Sequence, residues 1–190
     1  MSAARHRLSV GSIAPKFKAV DVSGKHISLE AIDSRYILLA FFRYSGCPWC
    51  NVAIHRLSLE YATLIEHGCE VLAFVQSEKQ DIVDNIYGRH VIKPAFSIIA
   101  DRKRRIYDLY GVNDSVRAAV RSLARIPTWL HSIRKQGFKQ RTIDGNLFLV
   151  PASFLIDGRS RKIIQASYGS SFYETEAFMD IYGSVFFREL

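Results

Sequence analysis

At 190 residues, with 48% hydrophobic content and a formal net charge of +8, the chain has enough apolar material for one domain of ordinary size with a full core. Its longest apolar run, Tyr36 to Phe42, falls far short of the roughly 20 residues a membrane helix needs, and no apolar stretch of signal-peptide type follows the basic opening "MSAARHRLS". With no linker, repeat or low-complexity segment and only three cysteines, too few for a disulfide scaffold, the expectation is a single soluble, cytoplasmic domain over residues 1–190.

Residues 10–33 predict an extended stretch and then a hairpin: Phe17, Val20 and Val22 alternate sides, and Gly24 marks the turn. "YILLAFF" (36–42) reads as a strand buried on both faces. From Pro48 to His67, Val52, Ile54, Leu57, Leu59, Tyr61, Leu64 and Ile65 follow helical spacing, and Gly68 supplies the stop. "CEVLAFVQ" is the next buried strand, and "SEKQDIVDNIYGRH" opens on a capping-box pattern, Ser77 with Gln80, before a helix. "FSIIAD" is a further strand and "RIYDLYGV" one or two helical turns. "VPASFLID" and "KIIQASYG" flank a turn at residues 157–160, and "YETEAFMDIYGSVFFREL" closes the chain as an amphipathic helix. This alternation predicts an α/β fold, a central sheet with helices on both faces.

The chemistry concentrates in "RYSGCPWC". A buried strand passing into a helix at Pro48 puts Cys47 near the helix N-cap, because proline is favoured at the first helical position. Unpaired amides and the positive end of the helix dipole then face the Cys47 sulfur and favour its thiolate. Cys50 lies one turn on, on the same side and more buried, within reach of a disulfide. Cys47 is therefore the expected nucleophile and Cys50 the resolving thiol. Two plainer readings stand beside this one. Both residues are simple core cysteines, or they bind zinc together with His67 and Cys69, a spacing that matches no finger or knuckle.

Three motifs in this order resemble the peroxiredoxin-like (AhpC/TSA-type) proteins of the thioredoxin-fold superfamily, in the subgroup that keeps a C-x-x-C. They are "VGSIAPKF…DVSGKHISL", "FFRYSGCPWCNVAIHRL" and "VPASFLID", and the resemblance runs over roughly residues 10–175. It implies a thioredoxin-like α/β fold with a central mixed sheet, an N-terminal peroxiredoxin-type hairpin, and a Val150–Pro151 cis peptide facing the dithiol, where it helps bind substrate. Trp49, between the cysteines, joins Val150, Pro151 and Arg43 as an expected substrate-binding residue. The chain departs from typical peroxiredoxins, which have P-x-x-x-T-x-x-C: Cys47 stands where the Thr is expected, Arg43 where the Pro is, and Pro151 where a later Arg is. Gly46 occupies the position of the usual Trp. These departures favour a thioredoxin-style dithiol cycle over peroxide reduction.

Arg43 has two readings, a charge that stabilises a thiolate or peroxide and a strand-end arginine reaching solvent. Asp21 reads as a turn aspartate rather than a buried proton acceptor, His55 as an exposed or half-buried helix histidine rather than a general base, and Cys69 as core.

Residues 113–145 hold seven Lys/Arg and two Asp, a net +5 of the chain's +8. Arg117, Arg121 and Arg125 mark one face of a helix and Val116, Val120, Leu123 and Ala124 the other, so the segment reads as a basic helical insertion. Its plain role is a solvated face. Its alternatives are a lid recruiting an anionic partner and an interfacial helix on an anionic membrane; no nucleic-acid motif is present.

The expected function is thiol-based redox chemistry, most directly reduction of disulfides. Reduction of hydrogen peroxide or organic hydroperoxides is the alternative enzyme, and a redox-sensing interaction module the non-catalytic one. A thioredoxin- or glutathione-type thiol regenerates the pair, a homodimer is a candidate assembly, and no metal, flavin or nicotinamide site is visible.

Overall fold

The computed structural model describes residues 7–115 and 138–169. The expected closing helix and most of the basic insertion lie outside the described residues.

Among the described residues seven strands and three α-helices follow in order: β1 Lys18–Val20, β2 His26–Ser28, β3 Tyr36–Phe42, α1 Pro48–Glu66, β4 Cys69–Val75, α2 Lys79–Ile82, β5 Ser97–Ala100, α3 Arg105–Leu109, β6 Ala152–Asp157 and β7 Ile163–Tyr168. β1 and β2 form the expected antiparallel hairpin, with Gly24 at φ +98° in its turn, a left-handed conformation that favours glycine. Asp21 organises that turn by accepting the backbone N–H groups of Ser23 and Lys25, each at 2.9 Å.

The main sheet runs β5-β4-β3-β6-β7, with β3, β4 and β5 parallel and β6 antiparallel to both of its neighbours. β3 lies at its centre, which is why its sequence is apolar without alternation. Leu38, Ala40 and Phe42 face one core with Ile54 and Leu57 of α1. Ile37, Leu39 and Phe41 face a second core with Tyr107 and Tyr110 at α3 and Phe154 of β6. Phe41 stacks on Phe74 at 4.6 Å between ring centres and meets Tyr107 and Phe154 edge-on. Truncating such a ring to alanine costs about 3–5 kcal/mol. The Tyr107 hydroxyl donates to the carbonyls of Phe42 and Phe74, tying together the C-terminal ends of β3 and β4 where the cysteine loop begins.

α1 starts at Pro48 and ends where the His67 N–H reaches back to Thr63 O and Gly68 adopts φ +71°. The expected capping box at Ser77 does not form. The N-cap of α2 is Glu78, and the helix runs into a π-type turn over Val83–Tyr87. The Ser77 hydroxyl is committed elsewhere: it accepts the N–H of Ser45 at 2.8 Å, inside the loop that precedes the dithiol. Among the described residues no helix is long and apolar enough to cross a membrane.

Candidate functional site

β3 ends at Phe42, and five residues later the chain enters α1 with Cys47 as N-cap and Pro48 in its first turn. The expected placement is therefore realised, with one correction. Cys47 and Cys50 are equally buried, each 1% exposed, and the loop before them is hydrogen-bonded to a strap formed by residues 138–149, which takes in the end of the basic segment. Arg141 N–H and Gln140 Nε2 both donate to Gly46 O, at 3.1 and 3.3 Å. Tyr44 donates to Gln140 Oε1 at 3.2 Å, and Ser45 donates to Asp144 at 3.1 Å.

Glycine at 46 is explained by this contact. A Cβ there would lie 2.4 Å from Thr142 O and 3.1 Å from the Arg141 carbonyl carbon, so no larger residue fits without moving backbone. Gly145 has the same requirement, with Tyr44 Cβ at 2.7 Å and Gln76 O at 2.8 Å from its own ideal Cβ. The strap then returns to the body of the protein: Ser115 N–H donates to Phe148 O, Asp114 pairs with Leu149, and Arg104 forms an ion pair with Asp114 at 2.9 Å.

Arg43 is 5% exposed, not a solvent-reaching strand end. Its Nη1 donates toward the Cys47 sulfur at 3.8 Å, and its Nη2 donates to Leu147 O at 2.6 Å. Burial alone would raise the Cys47 thiol. The hydrogen bond from the Cys50 thiol, the charge of Arg43 and the backbone N–H groups of Cys50 and Trp49 more than reverse it, leaving Cys47 below the ordinary thiol range. Cys50 moves the other way. Burial first, then its hydrogen bond to Cys47 and the Cys47 charge, push it well above the ordinary value. One sulfur is thus held ready to ionise beside a second that keeps its proton. Trp49 serves through its backbone N–H; its half-buried ring packs against the core on the α1 side.

Val150 and Pro151 immediately precede β6. Their strand pairs with β3 through Phe41 and Ala152, which brings them to the sheet end that carries the cysteine loop. The expected cis peptide is corrected: no cis bond occurs among the described residues, and Val150–Pro151 is trans. Trans is the default for X–Pro by about 0.5–1 kcal/mol and needs no special support. The Pro151 carbonyl accepts Gly169 N–H at 2.9 Å. Cys69 is 2% exposed at the start of β4, as a core residue, and no group of three or more His, Cys, Asp or Glu close enough to hold a metal occurs among the described residues.

Two residues escaped the sequence reading. Asn51 is buried with no exposed surface and its amide donates to Ser45 O and Cys47 O. His90, 1% exposed, contacts Asn51 Oδ1 through Nε2 at 2.9 Å. For Asn51 there was a signal, a poor helix former set directly behind Cys50; for His90 there was none.

The AhpC/TSA family model matches residues 10–166, across the hairpin, the cysteine loop and β6. The chain belongs to the AhpC/TSA family. This AhpC/TSA chain is 26% identical over 108 residues to the thiol-disulfide oxidoreductase ResA of Bacillus thuringiensis, covering 57% of its own length and 61% of that relative. It is 24% identical over 105 residues to the peroxiredoxin Bcp of Escherichia coli, covering 55% and 65%. The alignments thus span about three fifths of these relatives' lengths. Among solved structures, the peroxidoxin BcpB of Mycobacterium tuberculosis superposes with a TM-score of 0.63 at 12% identity, over 91% of this chain and 94% of that one. That likeness carries the thioredoxin-type fold expected from the sequence.

Proposed function

We propose that this AhpC/TSA chain is a thiol-disulfide oxidoreductase cycling Cys47 and Cys50. The observation that carries the reading is the Cys47 sulfur at a helix N-cap, receiving Arg43 and two backbone N–H groups, with the Cys50 thiol in hydrogen-bond contact. The Cys47 thiolate attacks one sulfur of a substrate disulfide, expels the other as thiolate and leaves a mixed disulfide. Cys50 gives up its proton, attacks the Cys47 sulfur and expels the bound thiolate. The substrate has taken two electrons and the protein holds a Cys47–Cys50 disulfide. A thioredoxin- or glutathione-type thiol returns the pair to the reduced state, as suits a reducing, cytoplasmic compartment. Val150, Pro151 and Trp49 border the proposed substrate side.

The burial of Cys47 favours a second reading, since a small hydroperoxide passes the strap more readily than a protein does. The thiolate then attacks the peroxide oxygen, giving a sulfenic acid and releasing an alcohol or water once the leaving oxygen is protonated. Cys50 condenses with the sulfenic acid, losing water, and forms the same disulfide. The partners proposed for residues 113–145, an anionic molecule or membrane surface, and a homodimer rest on sequence alone.

Reductant consumption by the wild type, Cys47→Ser and Cys50→Ser separates these readings, with a protein disulfide and with hydrogen peroxide in separate assays. The preferred reading requires faster disulfide turnover that Cys47→Ser abolishes. Fast peroxide turnover with the disulfide untouched selects the peroxidase, and no turnover with either leaves a redox-sensing module.

A further inference from the structure

Asn51 sits in the first turn of α1 and turns back on the residues before it. Its Nδ2 donates to Ser45 O at 2.7 Å and to Cys47 O at 2.9 Å, while its backbone N–H also donates to Cys47 O at 3.1 Å. With both amide hydrogens used on carbonyls, Oδ1 is the acceptor, so His90 Nε2 must carry the proton it shares with Oδ1. That assignment leaves His90 Nδ1 bare, and Nδ1 is buried without a hydrogen-bond partner. The histidine is thus a neutral donor with one task. It reaches the cysteine loop from a point 39 residues along the chain from Asn51.

The chemical consequence lies in the two carbonyls. They belong to the backbone on either side of Cys47, whose sulfur depends on the N–H groups of Trp49 and Cys50. Asn51 holds both carbonyls on its own amide, so the backbone on either side of Cys47 is fixed, and with it the place of the sulfur against those donors. His90 holds the remaining atom of that amide, its oxygen, so the Asn51 side chain is fixed at both ends. The Ser45 end of the brace is further fixed by Asn85 Nδ2, which donates to the Ser45 hydroxyl at 3.1 Å.

We propose that Asn51 and His90 are a positioning pair that sets the reactivity and redox poise of Cys47 by locking the carbonyls of Ser45 and Cys47. The proposal rests on Cys47 as the nucleophile. Neither residue touches substrate in this role; His90 acts through Asn51, and Asn51 through the backbone of the cysteine loop.

The test follows the pH profile of Cys47 alkylation by iodoacetamide in the reduced chain, with the adduct located by mass spectrometry, and the Cys47–Cys50 equilibrium against dithiothreitol. His90→Leu removes the donor and is expected to move the alkylation midpoint up by about one pH unit, roughly a tenfold slower reaction on the acidic side of the profile. It also shifts the equilibrium toward the disulfide, since the reduced thiolate loses support. His90→Gln, which keeps an N–H at a similar reach, restores most of both. Asn51→Ala matches His90→Leu, and the double variant adds little, as coupled residues do. Should Leu at 90 prevent folding, His90→Asn, too short to reach Asn51, takes its place against His90→Gln. A folded His90→Leu or His90→Asn with the wild-type profile and equilibrium overturns the proposal. Loss of the oxidoreductase reading appears separately, as absence of wild-type turnover while the alkylation profile still responds to position 90.

Discussion

One guanidinium joins the Cys47 sulfur to the strap of residues 138–149. Arg43 Nη1 lies 3.8 Å from Cys47 Sγ while Nη2 donates to the Leu147 carbonyl at 2.6 Å. Arg43→Met keeps an apolar stem of similar shape but loses the charge and both donors. The Cys47 alkylation midpoint is expected to rise by about one pH unit, the equivalent of about 1.4 kcal/mol of lost thiolate stabilisation. Arg43→Lys recovers only part, because a single ammonium cannot address the sulfur and the carbonyl in the fork geometry of arginine.

Gly46→Ala tests the contact between loop and strap. A methyl 2.4 Å from Thr142 O has to push backbone aside, and overpacking of this kind costs about 1–3 kcal/mol. Urea unfolding is expected to show that loss, together with faster proteolysis within residues 138–149. A variant as stable as the wild type, with an unchanged proteolysis pattern, contradicts the packing described.

The third cysteine should be chemically silent. Burial pushes the Cys69 thiol up to about 12, so it stays protonated at neutral pH, and it lies in a strand with 2% exposure. Alkylation of the native reduced protein at pH 7 is expected to leave Cys69 unlabelled. Cys69→Ala is expected to keep the Cys47 reaction rate and cost about 1 kcal/mol, the centre of the range for single substitutions.

Stability should rise with pH through two adjoining windows. Burial, and then the charges of His55, Arg89 and Lys93, lower His90 from 6.5 to about 4. Between those values the unfolded chain takes a proton that the folded chain refuses, so acidification through that window destabilises the native state. Cys47 acts at higher pH. Its folded thiol ionises below the ordinary value of 9.0, so stability from this group is complete only above that value and is lost as pH falls through the lowered one. Urea midpoints measured from pH 4 to 9 are expected to show both rises. His90→Gln flattens the acidic one and Cys47→Ser the alkaline one.

What was legible in the sequence was local. Pro48 behind Cys47, the apolar run of β3, Gly24 and Gly68 each announce their structure within a few residues, so the dithiol, the hairpin and the helix end were all readable. Arg43 stayed ambiguous because its two readings differ only in where its guanidinium goes, and Leu147, 104 positions later, decides that. Ser77 has the spacing of a capping box, yet the Ser45 N–H competes for its hydroxyl from 32 residues away. The strap carries no periodic pattern. Its trace in the sequence was Gly46, which reads as a missing aromatic until Thr142 is seen against it. The trans peptide before Pro151 shows a motif resemblance failing to carry over a backbone geometry.

The strap also dictates an order of events at the ribosome. Gly46 and Gln140 are 94 positions apart, and Arg43 and Leu147 are 104 apart. At roughly 5–20 residues per second, translation delivers the strap about 5–20 s after the two cysteines. For that interval the nascent chain has its two cysteines without the segment that later bonds to the loop before them.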